Sequence, residues 1–206
     1  MSAMQGTDLS VPADEDVNAS AVRVSALDAQ SQREGIWAKV ASSGPERMMA
    51  YAIRSSVFLG DEQGAYFDHF DANDELAAHI VVYVGREPVG TLRCRCFAGF
   101  ARVEKLAIRR GFRSYRVLNV LVRTALRYCW AKGYSMLSGI ARPEVVAFWC
   151  RKGGFEVGPA VETQYGPLIP LYGPLPAFAD IAPVTPDLVG TAVGERRLYA
   201  WEGEAL

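Results

Sequence analysis

VEKLAIRRGFRSYRVLNVLVRTAL (residues 103–126) passes from an alternating apolar segment, through a tight basic loop, into a segment whose apolar residues return every three or four positions. Strand, loop and helix in that order predict an anion site at the helix start. There the first backbone N–H groups have no partner within the helix, and the helix dipole is positive. Such loops usually carry glycines, but this one carries Arg113, Ser114, Tyr115 and Arg116. Arg109, Arg110, Arg113 and Arg116 precede or open the helix, and arginine's planar fork matches phosphate oxygens. A solvated charge cluster that binds nothing is the alternative reading of the same residues.

Downstream of this loop, Val117, Leu118, Leu121, Val122, Ala125, Leu126 and Cys129 recur at helical spacing. Asn119, Arg123, Thr124, Arg127 and Lys132 fall on the other side, so one face is expected to pack on a sheet. Gly133 stands where a helix C-terminal glycine belongs. YSMLSGIA then reads as a strand, PEVVAFWCRKG as a short helix opened by proline, and GFEVG as the turn into another strand. Upstream, AHIVVYVG, the turn GREP and VGTLRCRCF read as a β-hairpin, with GFARVEKLAI as a third antiparallel strand. Strict alternation along that third strand would set Glu104, Leu106 and Ile108 on one face.

Before the hairpin, SSGPERMMAYAIRSSVF predicts a helix capped by Ser43 with Pro45 in its first turn. Its apolar stripe would comprise Met48, Met49, Ala52, Ile53 and Val57. Ile36, Trp37 and Val40 in EGIWAKV suggest one helical face, and 59–77 is a loop dense in acids and aromatics. Arg93, on an apolar strand, needs an acidic partner if buried, and the 61–74 loop is the source of one. His79 reads as a satisfied core residue. Residues 1–32, poor in aromatics, read as a mobile N-terminal extension, 33–175 as the folded domain and 176–206 as a tail. The proline-rich stretch 160–187 is expected to be irregular, and ERRLYAWEG near the end to add an edge strand.

The chain has 206 residues, 50% hydrophobic and 22% charged, with a formal net charge of −1. That balance argues against a nucleic-acid or anionic-membrane partner read by overall charge, so any basic function is local. No apolar run reaches the roughly 20 residues of a membrane span. The start lacks the pattern of a secretory signal, which with irregularly spaced cysteines (94, 96, 129 and 150) leads to an expectation of reduced thiols in the cytoplasm. His69 and His79 are the sole histidines, and no metal-ligand spacing, Ser-His-Asp order or nucleotide-hydrolysing lysine motif is present.

IRSSVF, the acid–aromatic loop, AAHIVVYVGREPVGTLR, ARVEKLAIRRGFRSYRVLNVLVRTAL and FWCRKGGF follow one another as in the GNAT superfamily of N-acyltransferases, which residues 46–158 resemble. The resemblance implies an α/β fold of the α+β kind: a mixed, mostly antiparallel sheet with a splayed parallel strand pair, flanked by helices. It implies acetyl-CoA or a longer acyl-CoA as donor, an amine or amino acid as acceptor, no metal, and a monomer or homodimer. By position, Leu106, Ile108, Arg113, Ser114, Tyr115, Arg116, Val117 and Leu118 would hold the donor, and Glu104 would take the amine proton. Cys150 stands where many relatives place the tyrosine that protonates the leaving thiolate, and Pro143 where an asparagine is frequent. Arg116 and Leu118 replace small cradle residues. The chain also resembles the N-acyl amino acid synthase and acyl-homoserine lactone synthase offshoots, which take acyl chains from acyl carrier protein. Arg54, Phe58, Asp68, Asp71 and Arg93 match them by type and approximate spacing, and imply an acceptor site. A carrier protein is thus the alternative donor, and a non-catalytic acyl-CoA-binding module the alternative to an enzyme.

Overall fold

The structure is a computed structural model describing residues 35–163 and 166–178, the side chains of residues 67 and 68 excepted. The N-terminal extension and the ERRLYAWEG segment lie outside the described residues.

Residues 36–40 form a strand, not a helical face: β1 (Ile36–Val40) pairs antiparallel with β2 (Ala78–Val84), Ile36 opposite Val84 and Val40 opposite Ile80. Five residues are too few to bury a helical stripe, whereas a strand beside β2 satisfies their backbone polar groups at once. The first helix, α1 (Gly44–Arg54), begins as expected. Ser43 accepts from the Glu46 amide, and the Glu46 carboxylate accepts from the Ser42 and Ser43 amides and from Lys39. Partial burial raises the Glu46 pKa, but Lys39 and these donors outweigh it and hold it at about 2. The helix runs on in π-helical form over Ser55–Asp61. Its buried side is Ala50, Ile53, Arg54, Val57 and Phe58, while Met48 is 70% exposed, so the apolar stripe is displaced from the expected one and includes an arginine.

A short helix, α2 (Tyr66–His69), and a 3-10 turn (Ala72–Asp74) lead into β2. The hairpin of β2 with β3 (Glu87–Cys96) and the antiparallel pairing of β3 with β4 (Ala101–Ile108) follow the sequence reading. Helix α3 (Tyr115–Ala131) then crosses behind the sheet, ending at Gly133 with φ 86°. Val120, Thr124 and Tyr128 join its buried face, Thr124 contrary to the expectation that it lies on the polar side. β5 (Met136–Ala141) runs parallel to β4, and α4 (Pro143–Gly153), opened by proline, follows it. The 160–187 stretch is ordered where described, contrary to expectation. Two short strands, β6 (Glu156–Val157) and β7 (Val161–Thr163), flank β8 (Gly166–Pro174), which pairs with all six residues of β5. The prolines of β8 lack amide donors yet still accept and pack.

The sheet is ordered β1-β2-β3-β4-β5-β8-β6. One apolar cluster, built from β1 to β5 and α3 around Leu121 and Leu137, fills its back face. A smaller one, with Ala50, Ile53, Val57 and Phe58 of α1 against Val81, Tyr83 and Ala107, fills the front. The mixed α+β sheet expected from the resemblance is therefore present. β4 and β5 pair only at Ala101–Leu137 and Arg102–Ser138 and diverge beyond, the splayed parallel pair that opens a cleft towards α3.

Candidate active site

The decisive local feature of β4 is Lys105, whose φ of 54° is left-handed in the middle of a strand. Pairing moves from Thr91↔Ala107 to Arg93↔Glu104, which leaves an extra residue on β4, a β-bulge. The bulge reverses the expected facing. Leu106 and Ile108 pack against the back cluster, whereas Glu104 turns to the front face and meets Arg93. Simple alternation fails here because one residue in left-handed conformation shifts every side chain beyond it.

Around Glu104 lies a network of buried charge. Arg93, 1% exposed, donates from Nε to Glu104 Oε1 at 3.0 Å, and its Nη2 lies 2.8 Å from the same oxygen. Its Nη1 reaches Asp71 Oδ1 at 2.8 Å and Asp74 Oδ1 at 2.7 Å, and Nη2 reaches Asp71 Oδ2 at 3.0 Å. Arg54, fully buried, grips Asp74 with both Nη groups and stacks over Phe70 at 4.6 Å. His79 Nε2 sits 2.9 Å from the Asp74 carbonyl oxygen, and burial lowers the imidazole pKa and keeps the ring neutral. Burial acts to raise the Asp74 carboxyl, but Arg54 and Arg93 more than reverse it and hold it below the ordinary range. Hydrogen bonds from Arg93 do the same for Asp71. Charges this deep persist only when each is paired and hydrogen-bonded.

Of the acceptor-site residues expected from sequence, Arg54, Asp71 and Arg93 therefore meet, with Glu104 beside them. Phe58 stands apart from the charges, buried and stacked on His69 at 4.5 Å. The side chain of Asp68 lies outside the described residues. Asp74, the hub, went unnoticed in the sequence. Its signal was the D-x-x-D spacing: Asp71 accepts from the Asn73 amide while Asp74 accepts from the Asp71 amide, a reciprocal cap that fixes both carboxylates towards the arginines.

At the other end of the bulged strand, Ser114 caps α3 and accepts from the Val117 amide at 3.3 Å, and the Leu118 amide bonds the Ser114 carbonyl. No described hydrogen bond engages the Tyr115 or Arg116 amide, as expected for the first turn of a helix. Leu118 packs against the back cluster, so its side chain leaves the cradle clear. Val117 is buried, and Ser114, Tyr115 and Arg116 are exposed. Arg113 donates to the Ile108 carbonyl and lies 3.6 Å from Asp61. Arg109 is drawn away to Glu87 and the Pro88 carbonyl. Arg110 and Arg116 form no ion pair among the described residues. Two amides without a described partner, beside an exposed guanidinium, are groups that could hold an anion such as a pyrophosphate. Lys152 donates to Tyr115 Oη at 2.8 Å, which ties the last turn of α4, and with it half-buried Cys150, to the start of α3.

Comparison with solved structures gives the same architecture. An acyl-CoA N-acyltransferase from Pseudomonas aeruginosa superposes with a TM-score of 0.57 at 16% identity, covering 66% of this chain and 97% of that one. FeeM, an N-acyl amino acid synthase from uncultured soil microbes, gives 0.55 at 14% identity, covering 68% and 91%. This is the GNAT fold. No protein-family model matches the chain. In sequence, the GNAT-fold domain is 26% identical over 120 residues to an uncharacterized N-acetyltransferase, YjcF, of Bacillus subtilis, over 58% of this chain and 85% of that one. Among the described residues no group of side chains could hold a metal ion, and no helix is long and apolar enough to cross a membrane.

Proposed function

We propose that the protein is an N-acyltransferase that moves an acyl group from acyl-CoA to an amine by direct attack. The observation that carries this reading is the juxtaposition of Glu104, held on the front face by the Lys105 bulge, with the cleft where β4 and β5 part. Loop 113–118 would seat the pyrophosphate, and the amides around Leu106 would stabilise the oxyanion formed at the thioester carbonyl. The amine nitrogen bonds to the carbonyl carbon, the C–S bond breaks, and the amine proton passes to Glu104. The Arg93 and Arg95 contacts all fall on Oε1, so Oε2 takes that proton. The leaving thiolate takes a proton from Cys150 or from water.

Turnover is tested by thiol release from acetyl-CoA and a long-chain acyl-CoA over a panel of amines. Glu104→Gln should lower kcat by roughly 10²- to 10⁴-fold, the range of a lost general base, with donor affinity unchanged. Binding of acyl-CoA without turnover of any amine would make the protein a binding module instead. A second reading, with acyl carrier protein as donor, draws support from Arg110 and Arg116, which carry no counter-ion among the described residues and lie where an acidic carrier would dock. Transfer from an acylated carrier at rates far above those from acyl-CoA would establish it.

A further inference from the structure

The chain has four lysines. Three stand outside the charge network: Lys39 pairs with Glu46, Lys132 lies 5.5 Å from the Tyr128 ring, and Lys152 donates to Tyr115 Oη. The fourth, Lys105, is the bulged residue of β4 itself, between Glu104 and Leu106. β4 leaves β5 after Arg102, so residue 105 belongs to the splayed part of the pair and borders the cleft. Its side chain is half-buried on the front face, where Arg93, Arg54, Asp71 and Glu104 all act on its charge. A side chain in left-handed backbone carries strain that glycine would avoid, an outlier that points to function rather than to folding. Direct attack by a free amine uses Glu104 and gives Lys105 no part. Arginine would stay charged at this position, whereas lysine can give up its proton. Burial lowers the Lys105 pKa, Arg93 and Arg54 lower it further, and Asp71 and Glu104 oppose them only in part. A desolvated lysine beside other cations is the setting in which an amine becomes a nucleophile.

We propose that Lys105 is a self-acylation site, whose Nζ takes the acyl group from a thioester seated in the cleft when no acceptor amine is present. The inference rests on the acyltransferase reading above. Lys105 Nζ bonds to the thioester carbonyl carbon, the C–S bond breaks, and the proton leaving the nitrogen passes to Glu104, which returns it to solvent. CoA departs as the thiolate and takes a proton from water. The carbonyl oxygen is held meanwhile by the same amides around Leu106, one residue along the strand. The product is a neutral amide on the front face, beside Glu104, where an acceptor amine would otherwise attack. Self-acylation is thus a brake that engages when donor outruns acceptor.

The test incubates the full chain with acetyl-CoA, and separately with decanoyl-CoA, without an acceptor, followed by tryptic mass mapping. Unmodified chain is cut after Arg102, Lys105 and Arg109 to give VEK and LAIR, whereas acylated Lys105 resists trypsin and leaves VEKLAIR one acyl group heavier. At least one donor should label Lys105 about tenfold faster or more than Lys39, Lys132 and Lys152, a preference that unfolding in urea should remove. Glu104→Gln should slow labelling of Lys105 by at least about tenfold and leave the other three lysines unchanged. Lys105→Arg should abolish most of the mass gain of the intact protein. Label spread evenly over the four lysines, or label at Lys105 that Glu104→Gln does not slow, would overturn the proposal in favour of plain chemical acylation. Regioselectivity of the wild type decides the matter even where a variant fails to fold. Turnover of free amines with Lys105 unmodified would overturn self-acylation and leave the acyltransferase standing. If neither amines nor Lys105 react, both fall.

Discussion

Asp74 joins two buried arginines: among the described residues Arg54 pairs with no other anion, whereas Arg93 pairs also with Asp71 and Glu104. Its side chain is 9% exposed, so the pairing is not a surface ion pair of small worth. Asp74→Ala should cost about 3–5 kcal/mol in urea unfolding, because it strands buried charge. Asp74→Asn should cost less, since the amide oxygen still accepts from Arg54. A loss below about 1 kcal/mol for the alanine variant would mean that water reaches both guanidiniums. At this scale the sequence was partly legible: Arg93's need for an acid from the 61–74 loop is visible in a charge placed on an apolar strand. Which acid answers it was not, since four aspartates and Glu62 share that segment and the reciprocal cap of Asp71 with Asp74 orients the carboxylates.

Among the elements, β4 shows how a single backbone conformation sets a site. Lys105 occupies left-handed space that costs a residue with a side chain roughly 1–2 kcal/mol relative to glycine. Comparing Lys105→Val with Lys105→Gly isolates that strain from whatever the lysine side chain contributes. The valine variant should be less stable than the glycine variant by about that amount in chemical denaturation, and should disturb the Arg93–Glu104 contact. Equal stability would show that the strand relaxes to regular pairing. No residue type in VEKLAI announces a bulge, because glycine or asparagine, the usual markers of positive φ, are absent. Helix α3 and the β2–β3 hairpin, by contrast, were read correctly from periodicity and turn residues, which depend on neighbours within a few positions.

Across the whole molecule, the paired acids set a direction for pH dependence. Asp71 and Asp74 bind protons less tightly when folded. Their contribution is therefore complete above the unfolded carboxylate value of about 3.9 and is lost as pH falls towards their lower folded values. Glu46 behaves alike, down to about 2. His79 adds a milder slope: below about 6.5 the unfolded chain gains a proton that the buried ring refuses. On the alkaline side, Cys129 and burial raise the Cys94 thiol, and burial with Cys96 pushes Tyr134 up to about 12. Unfolding then releases protons that the folded state keeps, and stability declines above about 8.5. Melting temperature followed from pH 3 to 10 should peak near 7–8 and drop most steeply below 4. Asp74→Asn should flatten that acid limb, and an unchanged limb would assign it to other carboxylates.

By itself the sequence determined the order of the larger elements from α1 to α4, though not the short helix α2 in the 59–77 segment read as a loop, together with the loop-to-helix junction before α3 and the set of polar residues available to a site. These depend on hydrophobic period, capping and turn chemistry, all local properties. Tertiary structure decided the rest. Residues 36–40 become a strand because β2 offers an edge to pair with, and 166–174 become one because β5 does, despite their prolines. Arg54, Asp71, Asp74, Arg93 and Glu104 come from a helix, a turn and two strands, and none is within ten residues of all the others. Their meeting depends on long-range packing of α1 against the sheet and on a bulge that turns Glu104 to the front. Buried charge is stable only where all partners arrive together, so the cluster is a property of the folded whole.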